Sequence, residues 1–250
     1  MYKLKKSLGQ HFLKDGVIIS KIIEALKQNS FSQLLEVGPG GGALTGELLK
    51  IEDINFKAVE LDEEKVHYLE KTFPAIKGKI IHKNFLDIEP PFENQFTIIG
   101  NFPYNISTQI LFKILDWKDD VPVIIGMFQK EVALRVASLP GRKTFGVLSA
   151  LIQPFYNIEY LFDVPAQSFN PPPKVESAVI RLTRKDEVLN VRSERSYKIL
   201  VKTAFNQRRK TLRNAVKSLF KPEILSDDIF NRRAETLSIE EFAALTFKMN

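Results

Sequence analysis

The run Asn101-Phe102-Pro103-Tyr104 combines the residue types that chemistry on a planar amine requires. Asn101 offers an uncharged amide acceptor. Pro103 fixes its own φ and drives Phe102 towards an extended conformation, so a stiff loop turns its backbone carbonyls outward. Tyr104 adds a flat ring. These are the parts needed to hold an amino-purine by its exocyclic nitrogen. The plain alternative is an ordinary strand-to-helix turn, with Asn and Pro as turn formers and Tyr as packing. Upstream, Glu36 ends an apolar run and is followed by Gly38-Pro39-Gly40-Gly41-Gly42-Ala43. Glycines let a backbone approach a ligand closely, and a helix N-terminus after them favours acceptor groups. Glu60 comes about twenty residues past that turn, where an acid accepts both ribose hydroxyls. The glycine spacing also fits the dinucleotide fingerprint G-x-G-x-x-A. NAD enzymes share the acid, so these two features leave NAD and S-adenosylmethionine both open. Glu36 favours S-adenosylmethionine, because a carboxylate there orients the positively charged methionine end.

The elements that must position these residues read as alternating strands and helices. Phe96-Thr97-Ile98-Ile99 is a short β-branched run, expected as a buried strand that leads into the turn Asn101 to Tyr104. Ser107 or Thr108 is expected to cap the following helix, whose apolar face is Ile110, Leu111, Ile114 and Leu115. The loop 101–104 therefore sits at the carboxyl end of a strand, where open α/β sheets bind their ligands. Further strands are expected at 34–37, 56–62, 79–83, 121–128, 157–164 and 174–183, the last two pairing. Asp62 is expected to cap a helix over 63–73. Another helix starts near Asp15, with Val17, Ile18, Ile22, Ile23 and Leu26 on one face.

Composition bounds the partners. The chain has 250 residues, a net charge of +6 and no cysteine. A basic balance favours a polyanionic partner, and the missing cysteines exclude disulfides and thiolate metal sites. His11, His67 and His82 are too scattered for a zinc site, so no metal is expected. No apolar run approaches the ~20 residues of a membrane span, and the N-terminus lacks a signal-peptide core; a cytoplasmic protein is the expectation. Lys3, Lys5, Lys6 and Lys14 make the first fourteen residues basic. From residue 186 onward there are 13 Lys/Arg against 9 Asp/Glu, which supplies four of the six net charges. Arg208, Arg209, Lys210 and Arg213 crowd a helix–helix junction there. A charge run is usually a solvated face, but this density suits phosphate clamps.

The longer match Gly100-Asn101-Phe102-Pro103-Tyr104-Asn105-Ile106-Ser107 resembles the ribosomal RNA adenine-N6 methyltransferases, the family that joins KsgA-type dimethyladenosine transferases with Erm-type macrolide-resistance enzymes. Glu36-Val37-Gly38-Pro39-Gly40 resembles the first methyltransferase motif. Ser7-Leu8-Gly9-Gln10-His11-Phe12-Leu13 resembles the family's Gly-Gln-Asn-Phe-Leu signature, with His11 where Asn is common. Asn84-Phe85-Leu86 stands where family members usually carry Asp before Phe/Ile/Leu-Leu. Phe169-Asn170-Pro171-Pro172-Pro173-Lys174-Val175 resembles the family's Phe-x-Pro-Pro-Pro-Lys-Val motif. Phe205-Asn206-Gln207-Arg208-Arg209-Lys210-Thr211-Leu212-Arg213-Asn214 is similar to the C-terminal signature of the KsgA-type branch.

The resemblance implies an α/β fold. A Rossmann-like class I S-adenosylmethionine-dependent methyltransferase sheet would occupy residues 1–185, with a small C-terminal all-α domain for RNA over 186–250. It implies S-adenosyl-L-methionine contacts from His11, Leu13, Glu36, Gly38, Gly40, Glu60, Asn84, Phe85 and Asn101, with Asp87 a rival of Asn84 for the adenine amine. It implies base handling by Asn101, Pro103, Tyr104 and Phe169, the last facing Tyr104 across a stacking slot. Arg208, Arg209, Lys210 and Arg213 would bind RNA. The implied reaction is dimethylation at N6 of two adjacent adenosines near the 3′ end of 16S rRNA, within the small (30S) subunit, by a monomer. Three alternatives stay open. An Erm-type enzyme on 23S rRNA is disfavoured by the Arg208–Arg213 cluster and the 171–173 proline run. A dehydrogenase would keep Glu60 but has no use for residues 101–104. A ribosome-assembly factor would need the basic surface and none of the site.

Overall fold

The computed structural model describes residues 11–187 and 189–250. The lysines at 3, 5 and 6 and the stretch 7–10 of the N-terminal signature lie outside them. The chain divides into two compact units, the first running to Ala133 and resuming over Glu159–Arg184, the second made of Leu134–Ile158 and Lys185–Asn250. The second unit thus takes its final stretch from residue 185 and also takes in 134–158, which the sequence expectation places with the sheet.

In the first unit β1 (Phe12–Leu13) leads into α1 (Gly16–Lys27), which buries Ile18, Ile22, Ile23 and Leu26. Asp15 caps α1: its Oδ1 accepts the N–H groups of Val17 and Ile18 at 3.0 and 3.3 Å. The chain continues through β2 (Gln33–Val37), α2 (Thr45–Leu48), β3 (Asn55–Glu60), α3 (Glu63–Thr72) and β4 (Ile80–His82). Then come β5 (Thr97–Asn101), α4 (Ser107–Asp116), β6 (Val123–Gln129) and α5 (Lys130–Val136), with α6 (Val147–Ile152), β7 (Tyr156–Val164), β8 (Phe169–Asn170) and β9 (Ser177–Arg184) after them.

Seven strands form one sheet in the order β4-β3-β2-β5-β6-β9-β7. The pairs from β4 to β6 are parallel, and β9 runs antiparallel to β6. From β2 the chain winds outward to β3 and β4, then returns to β5 on the other side of β2. The carboxyl ends of β2 and β5 therefore flank a topological switch point, where the crossovers diverge and leave a crevice. The central strands β2, β5 and β6 are mostly apolar runs, as strands buried on both faces require.

One local feature fixes the 101–104 loop. Gly100 and Gly126 face each other in register across β5 and β6. A Cβ on Gly100 would lie 2.6 Å from the Val37 carbonyl, and one on Gly126 would lie 2.6 Å from the Phe102 ring. The space both glycines leave is filled by Phe102 and Phe128, each fully buried, with ring centroids 4.9 Å apart. Phe102 thus anchors the loop from below, and its N–H donates to the Met127 carbonyl at 3.1 Å.

Ser107 does not cap α4. The cap position is Ile106, without a side-chain bond, and Ser107 lies inside the helix with its hydroxyl donating to the Tyr104 carbonyl at 3.3 Å. A hydroxyl in the first turn has a choice of backbone partners, and here it closes the loop rather than the helix.

The second unit holds the end of α5, α6, and then α7 (Glu194–Asn206), α8 (Leu212–Val216) and α9 (Ile239–Thr246). Phe145, Phe205 and Phe242 meet in series, the first pair edge-on and the second tilted, and the buried Tyr197 hydroxyl donates to the Ala150 carbonyl at 2.9 Å. Ser238 and Glu241 close a reciprocal capping box at the start of α9.

Candidate active site

A pocket opens at the switch point and is lined by residues from β1, the glycine turn after β2, the end of β3, the turn after β4, and the loop after β5. It collects His11, Leu13, Glu36, Gly38, Gly40, Glu60, Asn84, Asn101, Pro103 and Tyr104 from across the stretch 11–104. These come together because parallel strands all end on the same edge of the sheet.

Glu60 closes one end. Its Oε1 accepts the N–H groups of Leu61 and Asp62, both at 3.0 Å, and its Oε2 accepts the N–H of Gly40 at 3.1 Å. The ammonium of the buried Lys65 stands 3.8 Å from Oε1. Backbone donors and a cation together orient this carboxylate with lone pairs still available towards the pocket. Leu61, beside it, lines the pocket and is 59% exposed.

Glu36 is only 1% exposed and its Oε2 accepts the Thr45 hydroxyl at 2.7 Å. Burial pushes its carboxyl up to about 8, and the nearby Glu60 charge adds to that, against the Thr45 bond. The folded-state value therefore lies above the unfolded one. The stability linked to this group is full below the ordinary carboxylate range and is lost as pH rises towards 8. Glu36→Gln, which stays neutral, should remove that dependence. The melting temperature of the ligand-free variant is expected to fall a few °C less than the wild type's between pH 5 and 8. Calorimetric scans across that range check it, and parallel curves would show that Glu36 is ionised throughout.

Glycine is required where the turn reverses: Gly38 and Gly40 have φ of +70° and +59°. The Phe12 ring lies over this turn, 3.0 Å from where a Cβ on Gly41 would stand. Phe12 and Lys65 were not singled out from the sequence. Phe12's clue is its place inside the signature run His11-Phe12-Leu13. Lys65 lies one helical turn past Asp62 and has no clue of its own.

Asn84 reaches the pocket and Asp87 does not, being exposed on the far side of the turn. The Asn84 Oδ1 accepts the Leu86 N–H at 3.1 Å and so caps the short turn Phe85–Asp87. Its carbonyl thus serves the turn first. Phe85 was expected at the cofactor, but its side chain is buried with the ring edge-on to Trp117, centroids 5.3 Å apart. Leu86 lines the pocket in its place.

At the other end the Asn101 amide points its Nδ2 at the His11 carbonyl, 3.5 Å away at the outer limit of a hydrogen bond. That orientation leaves Oδ1 without a hydrogen bond among the described residues. The Pro103 carbonyl accepts the Ile106 N–H at 3.2 Å and keeps a second lone pair. The Tyr104 hydroxyl lies 2.6 Å from the Ser177 hydroxyl, and burial pushes its phenol above the usual range, so it stays protonated.

The expected partner ring for Tyr104 is not there. Phe169 is 0% exposed and belongs to the core with Leu13, its register partner in the β1–β8 pair. In a two-stranded ladder the residues directly opposite share a face, and Leu13 and Phe169 share the inner one. The ring beside Tyr104 is His11, centroids 5.8 Å apart and planes 28° from parallel. The His11 Nδ1 lies 2.8 Å from the Pro171 carbonyl. A carbonyl only accepts, so that nitrogen carries a proton.

The basic cluster sits in the second unit. Arg208 donates to the carbonyls of Lys143 and Phe145, and Arg213 Nε to the Leu225 carbonyl at 3.0 Å. Arg209 and Lys210 are exposed. Among the described residues no group of His, Asp and Glu could hold a metal ion, and no helix is long and apolar enough to cross a membrane.

The sequence profile of one family, ribosomal RNA adenine dimethylase, matches residues 1–247. The chain is 50% identical over 248 residues to the ribosomal RNA small subunit methyltransferase A of Cytophaga hutchinsonii, covering 98% of this chain and 96% of the relative. It is 49% identical over 251 residues to the protein of the same name from Flavobacterium johnsoniae, covering 99% and 96%. Its fold is similar to the crystal structure of a dimethyladenosine transferase from Plasmodium falciparum, with a TM-score of 0.79 at 24% identity over 93% of this chain and 94% of that one. It is also similar to that of the 23S rRNA methyltransferase ErmE, with a TM-score of 0.71 at 23% identity over 95% and 99%.

Proposed function

The chain belongs to the ribosomal RNA adenine dimethylase family, the S-adenosylmethionine-dependent methyltransferases of ribosomal RNA, and from that premise we propose how its pocket divides the work. Its target is N6 of two adjacent adenosines near the 3′ end of the small-subunit rRNA, each methylated twice. The observation that carries the reading is the shared pocket of Glu60 and the Asn101–Tyr104 loop: a ribose acceptor at one end and an amine acceptor at the other.

The donor set suits S-adenosylmethionine. Glu60 would accept the ribose hydroxyls, and Leu61 and Leu86 would line the adenine end. Glu36 faces the cationic methionine end, where a positive charge would reverse the burial penalty and draw its carboxyl into the ionised form. When bound, S-adenosylmethionine supplies an electrophilic methyl group on a sulfonium. The protein's task is to make a poor nucleophile available. The lone pair of an adenine N6 is delocalised into the ring. Asn101 Oδ1 and the Pro103 carbonyl accept its two N–H bonds, which favours a pyramidal nitrogen with its lone pair released from conjugation. Tyr104 stacks on the base, worth ~1–3 kcal/mol. Holding the two reactants in register supplies much of the remaining rate. After transfer the ammonium gives its proton to solvent.

Incubating the protein with labelled S-adenosylmethionine and under-methylated small subunits tests this reading. Label on adenosines near the 3′ end of the small-subunit RNA is expected; label confined to large-subunit RNA, or none, would overturn it.

RNA docking rests on the exposed cations of the second unit. Arg208 and Arg213 brace backbone carbonyls, so Arg209 and Lys210 are the stronger candidates for phosphate contacts. Each neutralised phosphate releases counterions and steepens the salt dependence. Replacing Arg209 and Lys210 with Ala should weaken subunit binding and lower the slope of log K against log salt by about one unit per lost contact. S-adenosylmethionine affinity should not change. An unaltered slope would make these residues a solvated face.

A further inference from the structure

Tyr104 is restrained at two points, and one of them is supplied from outside the pocket lining. Its Oη lies 2.6 Å from Oγ of Ser177. Ser177 has no exposed surface, opens β9, and pairs in register with Gln129 at the end of β6. The second restraint is His11, whose ring lies against Tyr104 and whose Nδ1–H is tied to the Pro171 carbonyl.

The two restraints act on different torsions. Oη lies on the Cβ–Cγ axis of the tyrosine, so a hydrogen bond there decides where the axis points and leaves rotation about it free. That rotation is a broad, two-fold torsion in tyrosine, and the flat contact with His11 is what limits it. A ring aimed by one partner and turned by the other has its plane fully defined, which stacking on a single purine demands.

We propose that Ser177 is a positioning residue for base recognition: its hydroxyl aims the Tyr104 ring at the target adenine and acts only through the Tyr104 Oη. The proposal rests on the methyltransferase reading of this pocket. Packing alone asks only for a small residue at 177, and the bond its hydroxyl makes is to Tyr104. Without it, a partly buried phenol loses its partner, and the ring is drawn towards water to replace the lost bond.

A double-mutant cycle of Ser177→Ala and Tyr104→Phe, read by single-turnover methylation of under-methylated small subunits at saturating cofactor, tests it. Tyr104→Phe keeps the ring and removes only the atom through which Ser177 would act. Each single variant should slow transfer about 3- to 10-fold, the size of one hydrogen bond. The double variant should be no slower than the worse single one. S-adenosylmethionine affinity should match the wild type in all three. Penalties that multiply in the double variant would overturn the proposal, as would a wild-type rate in Ser177→Ala. A loss of cofactor affinity parallel to the loss of rate would also sink it, because that marks a general structural role. The wild type in the same assay separates the two levels: no transfer by the wild type defeats the parent reading, whereas transfer without coupling defeats only the role of Ser177.

Discussion

Asn101→Ala should slow methyl transfer by about 10²–10³-fold or more, the scale of losing a group that stabilises the transition state. S-adenosylmethionine affinity should stay within a few fold. The reasoning is geometric. The Asn101 Nδ2 is turned to the His11 carbonyl, which leaves Oδ1 for the substrate amine. Phe102 below it is wedged over Gly100 and Gly126, so the amide has a fixed base from which to accept. Alanine removes the acceptor and leaves that base intact, and therefore acts on chemistry rather than on folding. The measurement is single-turnover transfer beside equilibrium cofactor binding. Near-normal turnover would take Asn101 out of the mechanism.

The second large effect is expected on the cofactor alone. Glu60→Ala removes the proposed acceptor of two ribose hydroxyls, at about 1.5–3 kcal/mol per charge-assisted bond, so affinity should fall roughly 10²–10⁴-fold. It also strips the N–H groups of Gly40, Leu61 and Asp62 of their shared acceptor and leaves the buried Lys65 without its carboxylate. Glu60→Gln keeps the shape and one acceptor and should lose less. Titration calorimetry of the wild type with S-adenosylmethionine and with NAD is the matched control. Tight NAD binding would overturn the assignment of the ribose site, because the same acid serves dinucleotides.

Much of this site was legible in the sequence because its parts are punctuated locally. Asp15 and Asp62 cap α1 and α3 through bonds that span two or three residues. The Gly38–Gly42 turn and the Asn101–Tyr104 loop each end an apolar run, and such runs must end at the ligand edge of a parallel sheet. What could not be read was set by contacts with no local signature. β8 is two residues long, too short for its period to say which face Phe169 takes, and only pairing with β1 turns that ring inward. The Asn84 carbonyl looked free for a ligand, but it competes for the Leu86 N–H, a bond that any Asx residue before a turn is prone to make. Arg208 and Arg213 read as a cationic pair with Arg209 and Lys210. Their guanidinium groups instead brace carbonyls in the second unit, at positions up to 65 residues away. Ser177, more than 70 residues from Tyr104, meets it only because β9 returns antiparallel beside β6.

The facing glycines at 100 and 126 carry a consequence for how this site is able to drift. Their hydrogens and the rings of Phe102 and Phe128 share one small volume, so the four positions form a single inheritance unit rather than four independent ones. A lone alanine at 100 or 126 must displace a ring or a strand backbone. A lone smaller residue at 102 leaves a hole directly under Asn101. Neither single step is neutral: a Cβ at 126 meets only the Phe102 and Phe128 rings, which a smaller residue there relieves, whereas at 100 the Val37 carbonyl excludes a Cβ whatever stands at the other three. Relatives should therefore keep Gly100 and vary at 102, 126 and 128 only in matched sets, and a designer who wishes to move the 101–104 loop should rebuild those three positions together around a fixed glycine.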